Sequence, residues 1–544
     1  MAVVEFSLKD LEKLVGKKLS QKELTELIPM MGCPLEKAEG DAVFYEIFPN
    51  RPDLLSPEGF ARALRTFLDI SEGLSVYKAK PSGIKLFAEQ VPARPYVVAA
   101  VIRNAKLNDY VINSLIQLQE KIHETLGRKR KKVAIGLHDL SKVKPPFTYR
   151  DVKPDGIEFV PLDMKRKMTP EQILEEHPKG MEYAHILKDA GKYPVITDNN
   201  NDVLSLPPII NGELTRVTQH AKSIFIDITG TSELAISQAL NIVTTSLAER
   251  GFGIETVDIS GSVKKTTPDL KPWRMKVSID YVNKLLDLDL NQAEFRELIG
   301  KMGFGFDGSV IVPPYRVDIM HELDIVEDVA IGKGYWMFEP RIPKVPTIAQ
   351  RNAESDFLHY IRELLAAQGF QEVVGMVLTN KDDEFVKTKL REQPVCETLN
   401  PVSVECAVCR RHLLPSLIKV FSQNKHRGYP QRIFEAGDVV IPDESTETGA
   451  REAKKLSIGI SDSRVSYEQL SAAIDAFFSE LGVRYSLKKS SHGPFIEGRC
   501  ADIFVGKENI GYVGEIHPAV IHNWKLEKPA AAAEIDLKEI LKLA

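Results

Sequence analysis

The sequence is poor in cysteine, with five in 544 residues, at positions 33, 396, 406, 409 and 500. An odd, scattered set makes no disulfide framework, and Cys406-x-x-Cys409 has no second pair at zinc-finger spacing, so the five read as reduced thiols. Long apolar runs are missing too. Tyr96 to Ile102 is a short uninterrupted one, far below the ~18–20 residues that cross a bilayer, and reads as a buried strand. The opening MAVVEFSLKDLEKL has a carboxylate at Glu5 and no apolar signal segment, so the expectation is a cytoplasmic protein with no membrane contact. Excess charge is lacking: 71 Lys and Arg face 76 Asp and Glu, a net of −5. No global field marks a nucleic-acid binder, and any such contact has to be local.

What the sequence does have is length and a repeat. At about 100–200 residues per domain, 544 residues imply three to five domains. Residues 7–32, SLKDLEKLVGKKLSQKELTELIPMMG, align without a gap to 278–303, SIDYVNKLLDLDLNQAEFRELIGKMG, and eleven of the twenty-six positions are identical. Each copy predicts a short helix (Leu11 to Val15; Val282 to Leu286), a connector and a second helix. Ser20 and Asn291 are placed to cap that second helix, with Glu23 and Glu294 three residues on as in a capping box, and Gly32 and Gly303 end it. The copies stay parallel further on, where Pro49, Arg51 and Asp53 match Pro314, Arg316 and Asp318.

After that point the copies diverge in charge. PPYRVDIMHELDIVEDVAIGKGY adds Glu322, Asp324, Glu327 and Asp328. Asp324, Glu327 and Asp328 share one helical face, where like charges repel and a hard cation with oxygen ligands would reverse the sign. Carboxylates at a helix start are equally at home as solvated groups favoured by the macrodipole. A free-standing metal-dependent phosphotransferase is disfavoured, because no phosphate-cradling Gly loop accompanies the cluster.

Between the copies, β-rich runs such as PYVVAAVIRNA and SIFIDITGT flank a helical VINSLIQLQEKIHETLG and the basic block RKRKK at 128–132. That block is either a phosphate contact or a solvated turn before the strand VAIGLH. LSLPPIINGELTRVT followed by IFIDITGT sets polar Ser205, Asn211, Asp227, Thr229 and Thr231 beside turn-forming Pro-Pro and Asn-Gly, which suits a small pocket. His138 in GLHD reads as a satisfied structural histidine.

Taken together, PNRPDLLSPEGFARAL, HETLGRKRKKVAIGLHD, LPPIINGE, PPYRVDIMHELDIVEDVAIGKGY, LNPVS with RRHLLPSLI, and RIFEAGDV resemble, in order and over the whole chain, the phenylalanyl-tRNA synthetase β subunits of archaeal/eukaryotic type. The resemblance implies a multidomain α+β chain of four parts. These are an N-terminal helix-turn-helix-like (B1-type) module over 1–88, a central mixed α/β editing domain (B3/4-type) over 89–268, a B5-type module over 269–345, and an antiparallel-sheet domain of class II synthetase type over 346–544. It implies that the OB-fold and anticodon-binding modules of bacterial relatives are absent. It also implies Mg²⁺ on Asp318, Asp324, Glu327 and Asp328, with Glu322 outside the set, and an editing pocket drawn from Asp227, Ser205, Asn211 and Thr229 that hydrolyses mischarged tyrosyl-tRNA. Arg432-Ile-Phe-Glu435 resembles a motif-2 strand, yet no Gly-x-Gly with a following Arg comes after it. The last domain is therefore expected to have the fold without ATP chemistry and to meet a catalytic α subunit through NPVS (400–403) and Arg410 to Leu417. The implied assembly is an α₂β₂ heterotetramer with ATP used on α and tRNA(Phe) as substrate. The competing expectation is a non-enzymatic tRNA-binding scaffold built on the duplicated modules.

Overall fold

The internal repeat resolves into two copies of one topology in the computed structural model, which describes residues 2–188 and 190–542. The first helix of each copy starts earlier than its apolar spacing suggests. Ser7 and Ser278 accept from the backbone N–H groups of Asp10 and Tyr281 (3.3 Å each) and so open helices Leu8–Val15 and Ile279–Leu286. In the second copy the second helix, Gln292–Lys301, has the full capping box: Asn291 Oδ1 accepts from Glu294 N, and Glu294 accepts from Asn291 N. The first copy keeps the box at Ser20 and Glu23 but then winds wide over Glu23–Leu27 and tight over Ile28–Met31. Pro29 explains this, since it lacks an N–H and its ring clashes with the carbonyl four residues back, whereas the second copy has Gly300 there.

Each copy also carries three strands besides its two helices. Ala2–Ser7, Leu35–Glu39 and Ala42–Ile47 form an antiparallel sheet with the last strand central, and Trp273–Met275, Gly305–Phe306 and Val310–Val312 form another in the same order. Each copy keeps the same local ion pair, Arg51 with Asp53 and Arg316 with Asp318.

The central domain is a ten-stranded mixed sheet. Ala79–Ala88 belongs to it, pairing in parallel with Gly253–Gly261 and with Phe147–Val152, so a boundary at 88 cuts the domain inside its own sheet. Ser223–Gly230 runs antiparallel between Tyr96–Arg103 and Val133–Asp139, which sets Asp227 opposite Ala99 and Gly136. Helix Glu233–Glu249 packs on this sheet and on helix Pro57–Phe67 of the N-terminal module. Arg250, just after it, bonds Asp10 at 2.8 Å and also Glu58, while Ser56 meets Ser246 at 3.2 Å. One apolar core accordingly runs from Ala2 to Val329, and the first three expected parts pack into one compact unit that ends at Ile342.

The second unit is built on a seven-stranded sheet that is antiparallel except for its short first strand, Gln371–Glu372. Its strand Ala530–Asp536 shows the period of two in its packing. Ala531, Ala533 and Ile535 join the core under helices Ala353–Ala367 and Tyr467–Glu480, and Ala530 and Ala532 join the one under helix Leu414–Gln423. Among the described residues no helix is long and apolar enough to cross a membrane.

Candidate active site

A cavity of about 470 Å³ opens in the central domain between helix Asp109–Glu124, strand Val133–Asp139 and the segment 205–217. Its walls are mainly aliphatic, including Ile112, Ile116, Ile135, Leu137, Pro208 and Ile209. Three of the four residues expected to form the pocket line it: Ser205, Asn211 and Asp227. Ser205 Oγ is buried and has no hydrogen-bond partner among the described residues. Leaving such a group unpaired costs ~1–3 kcal/mol, so a bound polar group or water is needed there. Asn211 Nδ2 donates to Leu137 O at 3.3 Å, fixing the side chain at the cavity edge.

Asp227, 1% exposed, is held from behind by His138. His138 Nε2 lies 2.7 Å from Asp227 Oδ2, and Nδ1 lies 2.8 Å from Thr215 Oγ1. A carboxylate only accepts, so Nε2 donates to it, while the Thr215 hydroxyl lies within reach of both Nδ1 and Gly212 O (3.2 Å). His138 is thus satisfied, as expected, but its partner is the pocket carboxylate. Gly136 makes room for the pair: a Cβ there would lie 2.2 Å from Asp227 Oδ2 and 2.7 Å from His138 Nε2.

Thr229, the fourth, is not among the residues that line the cavity. It is fully buried, and its Oγ1 accepts from Arg94 Nε at 3.1 Å. Arg94 itself has no exposure, and burial pulls its guanidinium down to about 10. On the opposite wall, Glu120 accepts from Arg130 Nη2 (2.8 Å) and His123 Nδ1 (3.2 Å). Burial pushes the Glu120 carboxyl up, but the His123 bond and the Arg130 charge outweigh it and hold it at about 2.

The acidic cluster has a different geometry from the one its sequence implies. Arg316 donates to Asp318 at 2.7 Å and to Asp328 at 2.5 Å, Asp324 Oδ2 accepts from the N–H groups of Met320 and His321 at 2.7 Å each, and Glu327 faces solvent. Among the described residues no group of three or more His, Cys, Asp or Glu is disposed to hold a metal ion. The expected Mg²⁺ set Asp318, Asp324, Glu327 and Asp328 is therefore not a formed cage. The reason is Arg316, which neutralises two of its members. Burial raises the Asp328 carboxyl despite that guanidinium, while Asp318, also raised by burial, ends below its ordinary range because Arg316 prevails.

Comparison with known proteins places this architecture. The B3/4 domain model matches residues 90–258, the tRNA synthetase B5 domain model residues 275–335, and the phenylalanyl tRNA synthetase beta chain CLM domain model residues 339–537. The phenylalanine–tRNA ligase beta subunit of Methanocaldococcus jannaschii is 41% identical over 99% of this chain and 100% of its own length. That of Pyrococcus abyssi is 39% identical over the same shares. The crystal structure of an N-terminal fragment of the phenylalanyl-tRNA synthetase beta subunit from Pyrococcus horikoshii superposes with a TM-score of 0.59 at 40% identity, over 61% of this chain and 99% of that one. With full-length relatives at this identity, and with the B3/4 model lying on the domain that holds the cavity, the chain belongs to the family of phenylalanine–tRNA ligase beta subunits.

Proposed function

We propose that the chain supports the ATP-dependent attachment of phenylalanine to tRNA(Phe) on an α partner and itself hydrolyses tyrosyl-tRNA(Phe) in the central cavity. The single observation that carries the hydrolytic part is that an unpartnered Ser205 Oγ and the Asp227 carboxylate line one cavity whose walls are apolar on one part and carry the charged Glu120, Arg130, Lys179 and Arg216 on another. A site that binds phenylalanine rejects an isostere with one added hydroxyl only weakly, so discrimination needs a second site that recognises the hydroxyl. Here the aliphatic walls take the ring, Asp227 accepts from the phenolic O–H, and His138 keeps the carboxylate from turning away. Ser205 and Asn211 orient the ester or its attacking water. Thr229 acts behind the pocket through Arg94.

The second unit is proposed as a class II-type domain that has lost nucleotide chemistry. Arg432, in the motif-2-like strand, stacks its guanidinium 4.5 Å from the Phe370 ring centroid, and Glu435 is taken by Arg410 at 2.6 Å. Glu435 is thereby committed to Arg410, while Arg432 makes no ion pair among the described residues, so what argues against nucleotide chemistry is the missing Gly-x-Gly segment with its following Arg. Val374, Met376, Leu399, Val402 and Val404 are all at least 68% exposed, an apolar display suited to the α subunit of an α₂β₂ assembly. The test uses the purified α/β complex and each chain alone. Phenylalanylation should require both chains, and tyrosyl-tRNA deacylation should require this one. Adenylate formation by this chain alone would refute the division of labour, and a complex that left tyrosyl-tRNA intact would favour the scaffold reading.

Mg²⁺ on Asp318, Asp324, Glu327 and Asp328 remains a proposal with one condition: Arg316 has to yield Asp318 or Asp328 to the cation. Mg²⁺ commonly uses one or two carboxylates and keeps its waters, so Asp324 and Glu327 suffice to begin a site. No reaction step is assigned to it. Mn²⁺ titration of the α/β complex, followed by electron paramagnetic resonance, should lose one tight site per β chain in Asp324→Asn/Glu327→Gln. An unchanged number of tight sites would remove these residues from the ligand set.

A further inference from the structure

The basic block forms a turn that the chain builds against its own backbone preferences. Arg128, Lys129 and Arg130 have φ of 48°, 53° and 65°, three consecutive left-handed residues that all carry side chains. Such a run is disfavoured at each residue and persists only where its surroundings impose it. Lys132 N–H donates to Gly127 O at 2.8 Å and Arg130 N–H to His123 O at 3.1 Å, closing the turn onto the end of helix Asp109–Glu124. Arg94 then stitches it to strand Ser223–Gly230. Its Nη1 donates to the carbonyls of Arg130 (3.2 Å) and Lys131 (3.1 Å), and its Nη2 to Thr229 O (2.7 Å).

This bracing divides the block in two. Arg130 turns inward, donating to Ile209 O at 2.9 Å and to Glu120 at 2.8 Å, and so becomes part of the cavity wall. Arg128, Lys129 and Lys131 stay exposed, and among the described residues the only ion pair of the block is Arg130 with Glu120. Of the four remaining charges, Lys132 is half-buried and the other three face solvent beside a residue that lines the cavity, in a chain whose net charge is −5. Strand Val133–Asp139 leaves the turn directly and pairs Gly136 with Asp227. Lys132 precedes Gly136 by four residues, about 13 Å at ~3.3 Å per residue. That span is comparable to the reach from a phenolic oxygen, through the ester and ribose, to the 5′-phosphate of the same nucleotide.

We propose that the turn 127–132 is a phosphate clamp for the single-stranded 3′ end of the aminoacylated RNA. Arg128, Lys129 and Lys131 hold backbone phosphates beside the esterified nucleotide, and Arg94 and Arg130 act as positioning residues that fix the turn. The clamp rests on the ester-hydrolase reading above and adds to it the path of the RNA. The block's charge and its strained, braced backbone have one explanation in it.

The test measures tyrosyl-tRNA deacylation by the α/β complex across a range of salt concentrations. Arg128→Gln/Lys129→Gln/Lys131→Gln should raise KM by about tenfold, keep kcat, and flatten the plot of log KM against log salt by ~0.7 for each phosphate that the turn no longer neutralises. The charge-keeping Arg128→Lys/Lys129→Arg/Lys131→Arg should restore both KM and slope. Unchanged KM and salt slope in the glutamine variant would overturn the clamp while leaving the hydrolase reading intact. A fall in kcat at unchanged KM would also overturn it, by making the turn a purely structural prop. Absence of deacylation by the wild-type complex would overturn the hydrolase reading and the clamp together.

Discussion

Asp227→Ala in the α/β complex is expected to lower kcat/KM for tyrosyl-tRNA(Phe) deacylation about 10–10²-fold, with phenylalanylation unchanged. A hydrogen bond to a charged acceptor contributes ~1.5–3 kcal/mol, and tenfold in rate corresponds to about 1.4 kcal/mol. Losing the carboxylate also strands His138 Nε2, now 2.7 Å from Oδ2, in a fully buried position. The two effects act together, hence the upper part of the range. Gly136→Ala should produce a similar loss without touching the carboxylate chemically, because its Cβ would lie 2.2 Å from Asp227 Oδ2 and force the pair to move. Rapid-quench assays with preformed tyrosyl-tRNA separate this from any change in charging. An Asp227→Ala complex that deacylates at the wild-type rate would remove Asp227 from the site.

How far this site is legible in the sequence follows from which interactions are local. Asp227 and Ser205 stand on apolar strands where an inward polar residue is conspicuous, and the cavity does bring them together with Asn211. Thr229 has the same look, yet its direction is decided by Arg94, which lies 135 residues away and carries no sequence mark of burial. His138 is visible in the sequence, but its partner is not. Strand alternation places Gly136 and His138 on one face, and only the register with Ser223–Gly230 shows that this face meets Asp227. The same limit governs the acids at 318–328: spacing puts Asp324, Glu327 and Asp328 on one helical face, whereas Arg316, two residues before Asp318, takes Asp318 and Asp328 out of play. In the fold, the repeat exposes its capped helices because caps are local signals. In the second copy the strands are as short as Gly305–Phe306, too brief to show alternation, whereas in the first Ala2–Ser7 does alternate, burying Ala2, Val4 and Phe6. The shared core of the first unit is invisible for a further reason. It depends on helix Glu233–Glu249, whose buried Thr244, Thr245 and Ser246 read as polar.

In the second unit, Glu534→Gln is expected to destabilise by about 3–5 kcal/mol, the cost of breaking one side of a buried ion pair. Glu534 is 2% exposed and accepts from Lys455 Nζ (2.7 Å), His412 Nδ1 (2.9 Å), and the N–H groups of Leu413 (2.7 Å) and Leu414 (2.8 Å) at the start of helix Leu414–Gln423. Burial pushes its carboxyl up, but Lys455 and His412 prevail and hold it far below the ordinary carboxylate range. A group depressed on folding contributes its full stability above its unfolded pKa, ~4.3 for Glu, and loses it as pH falls from there toward the folded value. The wild-type chain should therefore weaken on acidification below about pH 4–5, and Glu534→Gln should be weaker at neutral pH but lack that component of the acid limb. Hydrogen exchange of strand Ala530–Asp536, measured from pH 7 downward in the α/β complex, reads both effects on the strand that carries the residue. Equal protection of the two proteins at neutral pH would show that the Lys455 and His412 pairs do not anchor this sheet. A parallel decline of both on acidification would assign the acid sensitivity to another group.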